Sequence, residues 1–310
     1  MDSVQKLKQV VPRALWPYLG AVRRVVRSLP PRTQSQKRRM LAEDTSLAPA
    51  ERELLARADS RIHPDDGMYK GDGAHYFHVG LDALRRIDEA LASAGIDDVR
   101  KILDMPCGYG RVLRLLVQRF PRAEVTACEL ERGAVEFCVR RFGATPAHSS
   151  TDLDALSLGE RYDLIWCGSL ATHLSERPLL ALLRFFRRHL APGGLLLFTT
   201  HGDFVARRLP TRDFDYGLAD EQIDALVARY PADGFAYTDY PDRESYGISL
   251  AAPAWVRARV GELGGMREVY FKERGWDRHQ DVYGFVLDES ADSSTEASAD
   301  SSTASNGRRP

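Results

Sequence analysis

The chain has few cysteines, and their spacing excludes the common cysteine-based sites. The four are Cys107, Cys128, Cys138 and Cys167, and no two of them have the C-x-x-C spacing typical of zinc or redox pairs. Small thiols scattered through predicted core elements are usually buried and reduced. We therefore predict free thiols, no metal site and a reducing compartment.

Long apolar runs are also absent. No stretch reaches the roughly 18 apolar residues that a membrane-spanning helix needs. The first residues contain no continuous apolar stretch followed by a small-residue cleavage site, so we expect no signal peptide. These absences predict a cytoplasmic protein.

The sequence has almost no net charge, but its basic residues are unevenly distributed. The formal charge of −1 does not favour nucleic acid as a partner. Residues 1–40 nevertheless hold ten Lys or Arg and a single acid, Asp2. We interpret this segment as a basic arm. The alternative is peripheral contact with an anionic membrane at its inner face, with Trp16 and Tyr18 at the headgroup level.

Composition divides the chain into four segments. The basic arm of residues 1–40 is followed by a polar segment at 41–78, which we interpret as an N-terminal cap. Residues 79–288 alternate helical and strand patterns and predict the main domain, with an insertion at about 203–247. Residues 289–310 contain no large apolar side chain, so we expect a disordered tail.

Hydrophobic periodicity in the main domain predicts repeated β-α units. Strands that alternate with helices indicate an α/β fold with a mostly parallel sheet and helices on both of its faces. The last two strands are too close in sequence for a crossover helix, so they predict an antiparallel hairpin. The predicted strands are residues 101–104, 125–129, 147–149, 162–167, 195–200, 267–271 and 281–287.

One stretch, ILDMPCGYGR at residues 102–111, has the order of a cofactor-binding turn. A hydrophobic strand ends in Asp104, and a turn with Gly108 and Gly110 leads into a helix. Glycines let the backbone approach a ligand, and the helix N-terminus presents free N–H groups. Glu129, at the end of the next strand, is placed to accept hydrogen bonds from ribose hydroxyls.

Two kinds of cofactor compete for this turn. A nicotinamide-dinucleotide turn requires a third glycine, where this chain has Leu113. Asp104 would also face a pyrophosphate unfavourably, whereas a carboxylate can bind the cationic amino group of S-adenosylmethionine. We therefore predict S-adenosylmethionine. A nicotinamide-dependent redox enzyme and an α/β domain without a cofactor are the alternatives.

Four motifs in this order resemble the class I S-adenosylmethionine-dependent methyltransferase superfamily. They are LDMPCGYG at 103–110, CELE at 128–131, YDLIWCGSLATHL at 162–174 and LAPGGLLLFTTHG at 190–202. A wider likeness, over residues 64–287, is to a bacterial subgroup. The resemblance implies a Rossmann-like, mostly parallel seven-stranded sheet with a C-terminal antiparallel hairpin. It also implies methyl transfer as the activity.

The resemblance further implies a set of cofactor contacts. Pro106 stands where glycine is commoner in the family, and it removes one N–H from the turn. The implied contacts are Asp104, Pro106, Cys107, Gly108 and Gly110 around the methionine part, Glu129 on the ribose, Leu130 on the adenine, Ser150 or Asp152 near the adenine amino group, and Gly168 near the transferring methyl.

The acceptor is less clearly indicated. Class I enzymes that methylate amino groups of nucleic acids resemble one another in an N/D-P-P-Y/F motif after strand four, where this chain has Cys167-Gly168-Ser169-Leu170. His173 and His201 follow strands four and five, at the sheet edge where open α/β sheets bind ligands. An imidazole there is suited to accept a proton from an oxygen nucleophile.

Aromatic residues near the C-terminus supply candidates for binding the acceptor. Tyr246, Trp276 and His279 combine aromatic faces with polar groups, which suits a sugar or polyol, and ordinary packing is the alternative. We expect O-methylation of a small molecule or glycan. The alternatives are N-methylation of a small molecule and a non-catalytic module that binds the cofactor.

Overall fold

A computed structural model describes residues 20–22, 24–26 and 29–292. Most of the predicted basic arm and most of the predicted tail therefore lie outside the described residues. Helix α1, Pro30–Glu43, continues across residue 40, where composition places a segment boundary. Within the described ranges, no helix combines the length and apolar character needed to cross a membrane.

Most strands from β1 to β5 are separated by helices, as the periodicity predicts. The strands are β1 (Lys101–Asp104), β2 (Glu124–Glu129), β3 (Thr145–His148), β4 (Tyr162–Cys167), β5 (Leu190–Thr200), β6 (Phe235–Asp239), β7 (Gly247–Ala251), β8 (Met266–Trp276) and β9 (Gln280–Leu287). The helices after α1 are α2 (Pro49–Arg57), α3 (Gly73–Ala94), α4 (Leu113–Arg119), α5 (Arg132–Phe142), α6 (Glu176–His189), α7 (Asp203–Arg208), α8 (Asp220–Asp233) and α9 (Pro253–Gly261).

Seven strands form one sheet in the order β3-β2-β1-β4-β5-β9-β8. The first five are parallel to one another, and β9 and β8 run antiparallel to their neighbours. This arrangement confirms the predicted fold class. Because β1 lies between β2 and β4, the strand order reverses beside it, and a crevice opens at the carboxyl ends of these strands.

Alternate residues of each central strand belong to different hydrophobic clusters. On β4, Leu164 and Trp166 pack with helices α3 and α4, whereas Ile165 and Cys167 pack with helix α6. Both sets are buried, so the strand reads as a continuous apolar run. The sheet is therefore covered on both faces, as predicted.

Two strand boundaries differ from the sequence prediction by five residues, and the others by two at most. Strand β5 begins at Leu190, five residues before the predicted start, because residues 191–194 form an irregularity in its pairing with β4 and not a separate turn. Gly194 is needed there, since a Cβ would lie 2.8 Å from the Ala191 carbonyl oxygen. Strand β8 extends to Trp276, so residues 277–279 alone connect it to β9.

The region after β5 contains a strand pair that the sequence analysis missed. Strands β6 and β7 form a separate antiparallel ribbon. Helix α8 packs on this ribbon through Ile223 and Leu226. All five residues of β7 are buried, so this strand has no polar alternation that could mark it. The predicted insertion at about 203–247 therefore includes β6, and its ribbon partner β7 begins at the end of that range.

Candidate functional site

A cavity of about 220 Å³ lies at the carboxyl ends of β1, β2 and β4. A second cavity, of about 260 Å³, lies at the amino ends of β1 and β2. Open α/β sheets bind their ligands at the carboxyl ends of the strands, so the cavity of about 220 Å³ is the candidate site. Nine of the residues predicted from sequence line it: Asp104, Pro106, Cys107, Gly108, Glu129, Gly168, His173, Tyr246 and Trp276.

The Glu129 carboxylate is held in place by backbone N–H groups. Its Oε2 accepts from Gly108 N–H at 3.0 Å, and its Oε1 accepts from Leu130 N–H at 2.7 Å. Each oxygen retains a lone pair for a further donor. A fixed, acceptor-only group at the end of β2 fits the two hydroxyls of a ribose.

Asp104, at the end of β1, is a buried acid that lacks a partner for one oxygen. The side chain is 1% exposed, and its Oδ2 has no hydrogen bond among the described residues. Burial and then the charge of Glu129 raise the pKa of Asp104 well above its usual range. A ligand ammonium in the cavity would offset both effects, so the site fits the cationic amino group of S-adenosylmethionine.

The two glycines of the turn have different roles. Gly108 lines the cavity with φ of 49°, a backbone conformation that favours glycine. Gly110 does not line the cavity. A Cβ there would lie 2.5 Å from the Phe142 ring, so packing against helix α5 requires this glycine.

Gly168, after β4, allows Trp276 to form one wall of the cavity. A Cβ on Gly168 would lie 2.7 Å from the Trp276 ring. The indole N–H of Trp276 donates to the Val79 carbonyl at 2.9 Å, which fixes the ring. The wall therefore joins β4, β8 and α3, three elements distant in sequence.

His173 lies in a short 3₁₀ turn, Ala171–His173, that follows β4. Its Nδ1 is 2.8 Å from the Gly247 carbonyl oxygen, so Nδ1 carries the proton and Nε2 keeps its lone pair. The ring stacks on Tyr246 with centroids 4.8 Å apart. Burial lowers the pKa of His173, which favours the neutral form at neutral pH.

Several predicted site residues lie outside the cavity lining. His201 is 1% exposed and contacts the rings of Tyr216 and His279, with centroids 4.8 Å and 5.8 Å away. Ser150 and Asp152 accept backbone N–H groups within their own loop. The predicted residues that do not line the cavity are Gly110, Leu130, Ser150, Asp152, His201 and His279.

Other cavity residues were missed by the sequence analysis. Asp66 and Met68 reach the cavity from the polar segment before α3, and Ser169 follows Gly168. Arg111 lines the cavity directly after the Gly108–Gly110 turn. A cation at a helix start is unfavourable with the helix dipole, and this local conflict was the available signal for Arg111.

The described residues contain no cluster of His, Cys, Asp or Glu suited to a metal ion. All four cysteines are free and buried, as their spacing predicts. The cavity lining supplies carboxylates, hydroxyls, one imidazole, one guanidinium and backbone groups.

Residues 103–196 match the family described as "Methyltransferase domain". The matched segment contains the turn with Asp104, the acid Glu129 at the end of β2, and strand β4. This match agrees with the four sequence motifs that resemble class I S-adenosylmethionine-dependent methyltransferases.

Curated relatives are similar over part of this chain. A malonyl-[acyl-carrier protein] O-methyltransferase from Anoxybacillus flavithermus is 32% identical over 142 residues, which are 45% of this chain and 53% of the relative. A trans-aconitate 2-methyltransferase from Azoarcus sp. is 30% identical over 129 residues, 40% of this chain and 48% of the relative. The chain thus spans about half the length of the curated relatives it matches.

A solved structure is also similar. The S-adenosylmethionine-dependent methyltransferase from Clostridium acetobutylicum has a TM-score of 0.48 at 15% identity. The alignment covers 67% of this chain and 92% of that one.

Proposed function

We propose that this protein transfers a methyl group from S-adenosylmethionine to an oxygen atom of a small-molecule acceptor. The observation that carries the proposal is a neutral imidazole with a free Nε2 in the same cavity as Asp104 and Glu129. The relative from Anoxybacillus flavithermus, named as an O-methyltransferase, is consistent with oxygen as the acceptor atom.

The cofactor would be held at the carboxyl ends of β1 and β2. Glu129 would accept from the ribose hydroxyls, and Asp104 Oδ2 would accept from the amino group. When bound, S-adenosylmethionine supplies an electrophilic methyl group that an oxygen nucleophile takes by in-line displacement. The residues of this chain then need to align the acceptor, exclude water and remove one proton.

His173 is the residue suited to remove that proton. The Gly247 carbonyl fixes the Nδ1–H tautomer and directs basicity to Nε2. An alcohol has a pKa far above neutrality, so its proton must leave as the new carbon–oxygen bond forms. His173 would accept this proton on Nε2.

Ser169 provides a complementary hydrogen-bond donor in the cavity. Its N–H donates to Thr199 Oγ1 at 2.9 Å, the Thr199 hydroxyl donates to Gln280 Oε1 at 2.6 Å, and Gln280 Nε2 donates to Ser169 Oγ at 2.6 Å. This ring of bonds occupies an acceptor site of the Ser169 hydroxyl and leaves its hydrogen for a ligand. A donor at Ser169 and an acceptor at His173 suit an acceptor molecule with neighbouring oxygen atoms.

The experiment is transfer of a labelled methyl group. The full chain is incubated with methyl-labelled S-adenosylmethionine and a fractionated bacterial extract, and the labelled product is identified. We expect a small molecule with the label on oxygen. Label on nitrogen or on nucleic acid would contradict the acceptor class. Cofactor binding without any transfer would contradict the proposed activity and favour a non-catalytic module.

A further inference from the structure

Two arginines of the cofactor turn have opposite environments. Arg114 is fully buried, and its guanidinium donates to the carbonyl oxygens of Asp59, Arg61 and Gly110. These bonds attach the segment before α3 to the turn. Arg111 lies one helical turn earlier and lines the cavity, yet its guanidinium makes no hydrogen bond among the described residues. Arg111 therefore has donors available for a ligand.

The Arg111 side chain is partly buried. The central carbon of its guanidinium is 5.3 Å from the centre of the Trp276 ring, a cation–π contact that positions the group without using its N–H donors. Burial lowers the pKa of Arg111, although a guanidinium stays charged in proteins. A partly buried cation without a hydrogen-bonded anion is unfavourable, so this site favours an anionic ligand group.

The cavity holds charges of both signs, as an α-amino acid does. Its acids are Asp66, Asp104 and Glu129, of which Glu129 faces the proposed ribose site, and among the described residues Arg111 is its one Lys or Arg. An α-amino acid carries an ammonium group and a carboxylate. A site that binds it therefore needs an anionic and a cationic side chain close together. Asp104 and Arg111 interact electrostatically, as their opposing effects on each other's pKa indicate.

Pro106 adds a reason specific to this chain. It lies in the same turn, beside the cavity, and proline has no backbone N–H. The turn therefore lacks one donor that could bind a carboxylate. A planar guanidinium supplies two parallel N–H donors in the geometry that a carboxylate accepts.

We infer that Arg111 binds the carboxylate of the amino-acid part of S-adenosylmethionine, in place of backbone donors of the turn. This inference rests on the proposed use of S-adenosylmethionine. It names the residue that binds the carboxylate of that cofactor. It predicts that Arg111 distinguishes S-adenosylhomocysteine from its decarboxylated analogue, because the two ligands differ only in this carboxylate.

Calorimetry with these two ligands tests the inference on the full chain. Wild type should bind S-adenosylhomocysteine more tightly than the decarboxylated analogue. Arg111→Gln should weaken S-adenosylhomocysteine binding by about 10- to 100-fold, the range for losing charge-assisted hydrogen bonds, and change analogue binding by no more than about twofold. Arg119→Gln is the matched control, because Arg119 is ion-paired with Asp88 outside the cavity. It should change neither affinity.

Arg111→Lys keeps the charge and loses the planar pair of donors, and it serves if the glutamine variant fails to fold. It should weaken S-adenosylhomocysteine binding while sparing the analogue. Equal weakening of both ligands, or weakening of neither, would overturn the inference. Failure of wild type to bind S-adenosylhomocysteine would instead overturn the proposed function.

Discussion

The segments that follow β4 and β5 both place a histidine just beyond a parallel strand, but in different surroundings. After β4, His173 lines the cavity, and its Nδ1 is fixed by the Gly247 carbonyl. After β5, His201 is enclosed between the sheet and the β6–β7 ribbon, where its carbonyl oxygen accepts from Ala251 N–H at 2.8 Å. One imidazole faces a ligand site, and the other belongs to the core.

The segment that follows β5 packs closely against β9. A Cβ on Gly202 would lie 2.0 Å from Asp281 Oδ2, so β9 approaches the backbone at this point. Burial lowers the pKa of His201 well below its usual value, which disfavours the charged imidazole. Position after a strand is therefore insufficient to identify a base. The base also needs an access path and a hydrogen bond that fixes its tautomer.

The largest expected effect concerns His173. Once an acceptor is known, His173→Ala should lower turnover by about 10²- to 10⁴-fold, because the acceptor proton loses its base. Affinity for S-adenosylhomocysteine should stay close to that of wild type. Turnover is measured with methyl-labelled cofactor, and affinity by calorimetry.

The matched control for this comparison is His201→Gln, which alters the other post-strand histidine. It should leave turnover per folded molecule within a few-fold of wild type. Comparable losses in both variants would remove the distinction between the two segments. If His173→Ala turns over at a rate close to that of wild type, His173 has a structural role and is not the base.

A smaller effect is expected at Asp281, which is buried beside Gly202. Burial raises the pKa of Asp281 to about 6 from 3.8, so the folded protein favours the protonated acid. The stability of the fold should therefore fall as the pH rises from about 4 through about 6. Above that range the buried carboxyl is ionised, and the loss of stability is complete. Asp281→Asn should therefore stabilise the fold at about pH 8 by up to about 3 kcal/mol.

Denaturant unfolding at several pH values measures this effect. In Asp281→Asn this fall in stability between about pH 4 and pH 6 should be absent. The variant should bind S-adenosylhomocysteine as tightly as wild type does. A destabilised variant at high pH would contradict this, and would show that the hydrogen bond from Arg274 N–H to the Asp281 carboxylate outweighs the cost of its burial. Impaired cofactor binding would show that the segment after β5 contributes to the cofactor site.

The smallest effect is the pH dependence of wild-type turnover. Burial lowers the pKa of His173 from 6.5, and the neutral form is the one that accepts a proton. Turnover should therefore rise with pH, with a midpoint below 6.5, and stay level through neutrality. A steady-state pH profile checks this, and a midpoint above 6.5 would contradict a buried neutral base.

The fold was predictable where one stretch of chain carries its own pattern. The unit from β1 to β2 combines a hydrophobic strand, a glycine turn and an acid in consecutive order. Gly95 and Gly143 adopt the left-handed conformation that commonly ends a helix at a glycine. The β6–β7 ribbon lacked such a signal, since its buried second strand depends on helix α8 and on the end of β5.

The site, like the fold, was predictable where its residues belong to local sequence motifs. Asp104 and Glu129 follow from motif order, and His173 follows from its place after β4. Asp66 and Met68 could not be predicted, because they reach the cavity through the segment that Arg114 attaches to the turn. Exclusion of His201 from the lining likewise depends on packing between β5, β7 and β9, which no local pattern encodes.

The most direct test of the central claim is whether this cavity binds an adenosine–amino acid ligand. Calorimetric titration of the full chain with S-adenosylhomocysteine and with NADH separates the two cofactor classes. We predict binding of S-adenosylhomocysteine, weakened by about 1–3 kcal/mol in Glu129→Ala through loss of charge-assisted hydrogen bonds. Binding of NADH with no binding of S-adenosylhomocysteine would contradict the account.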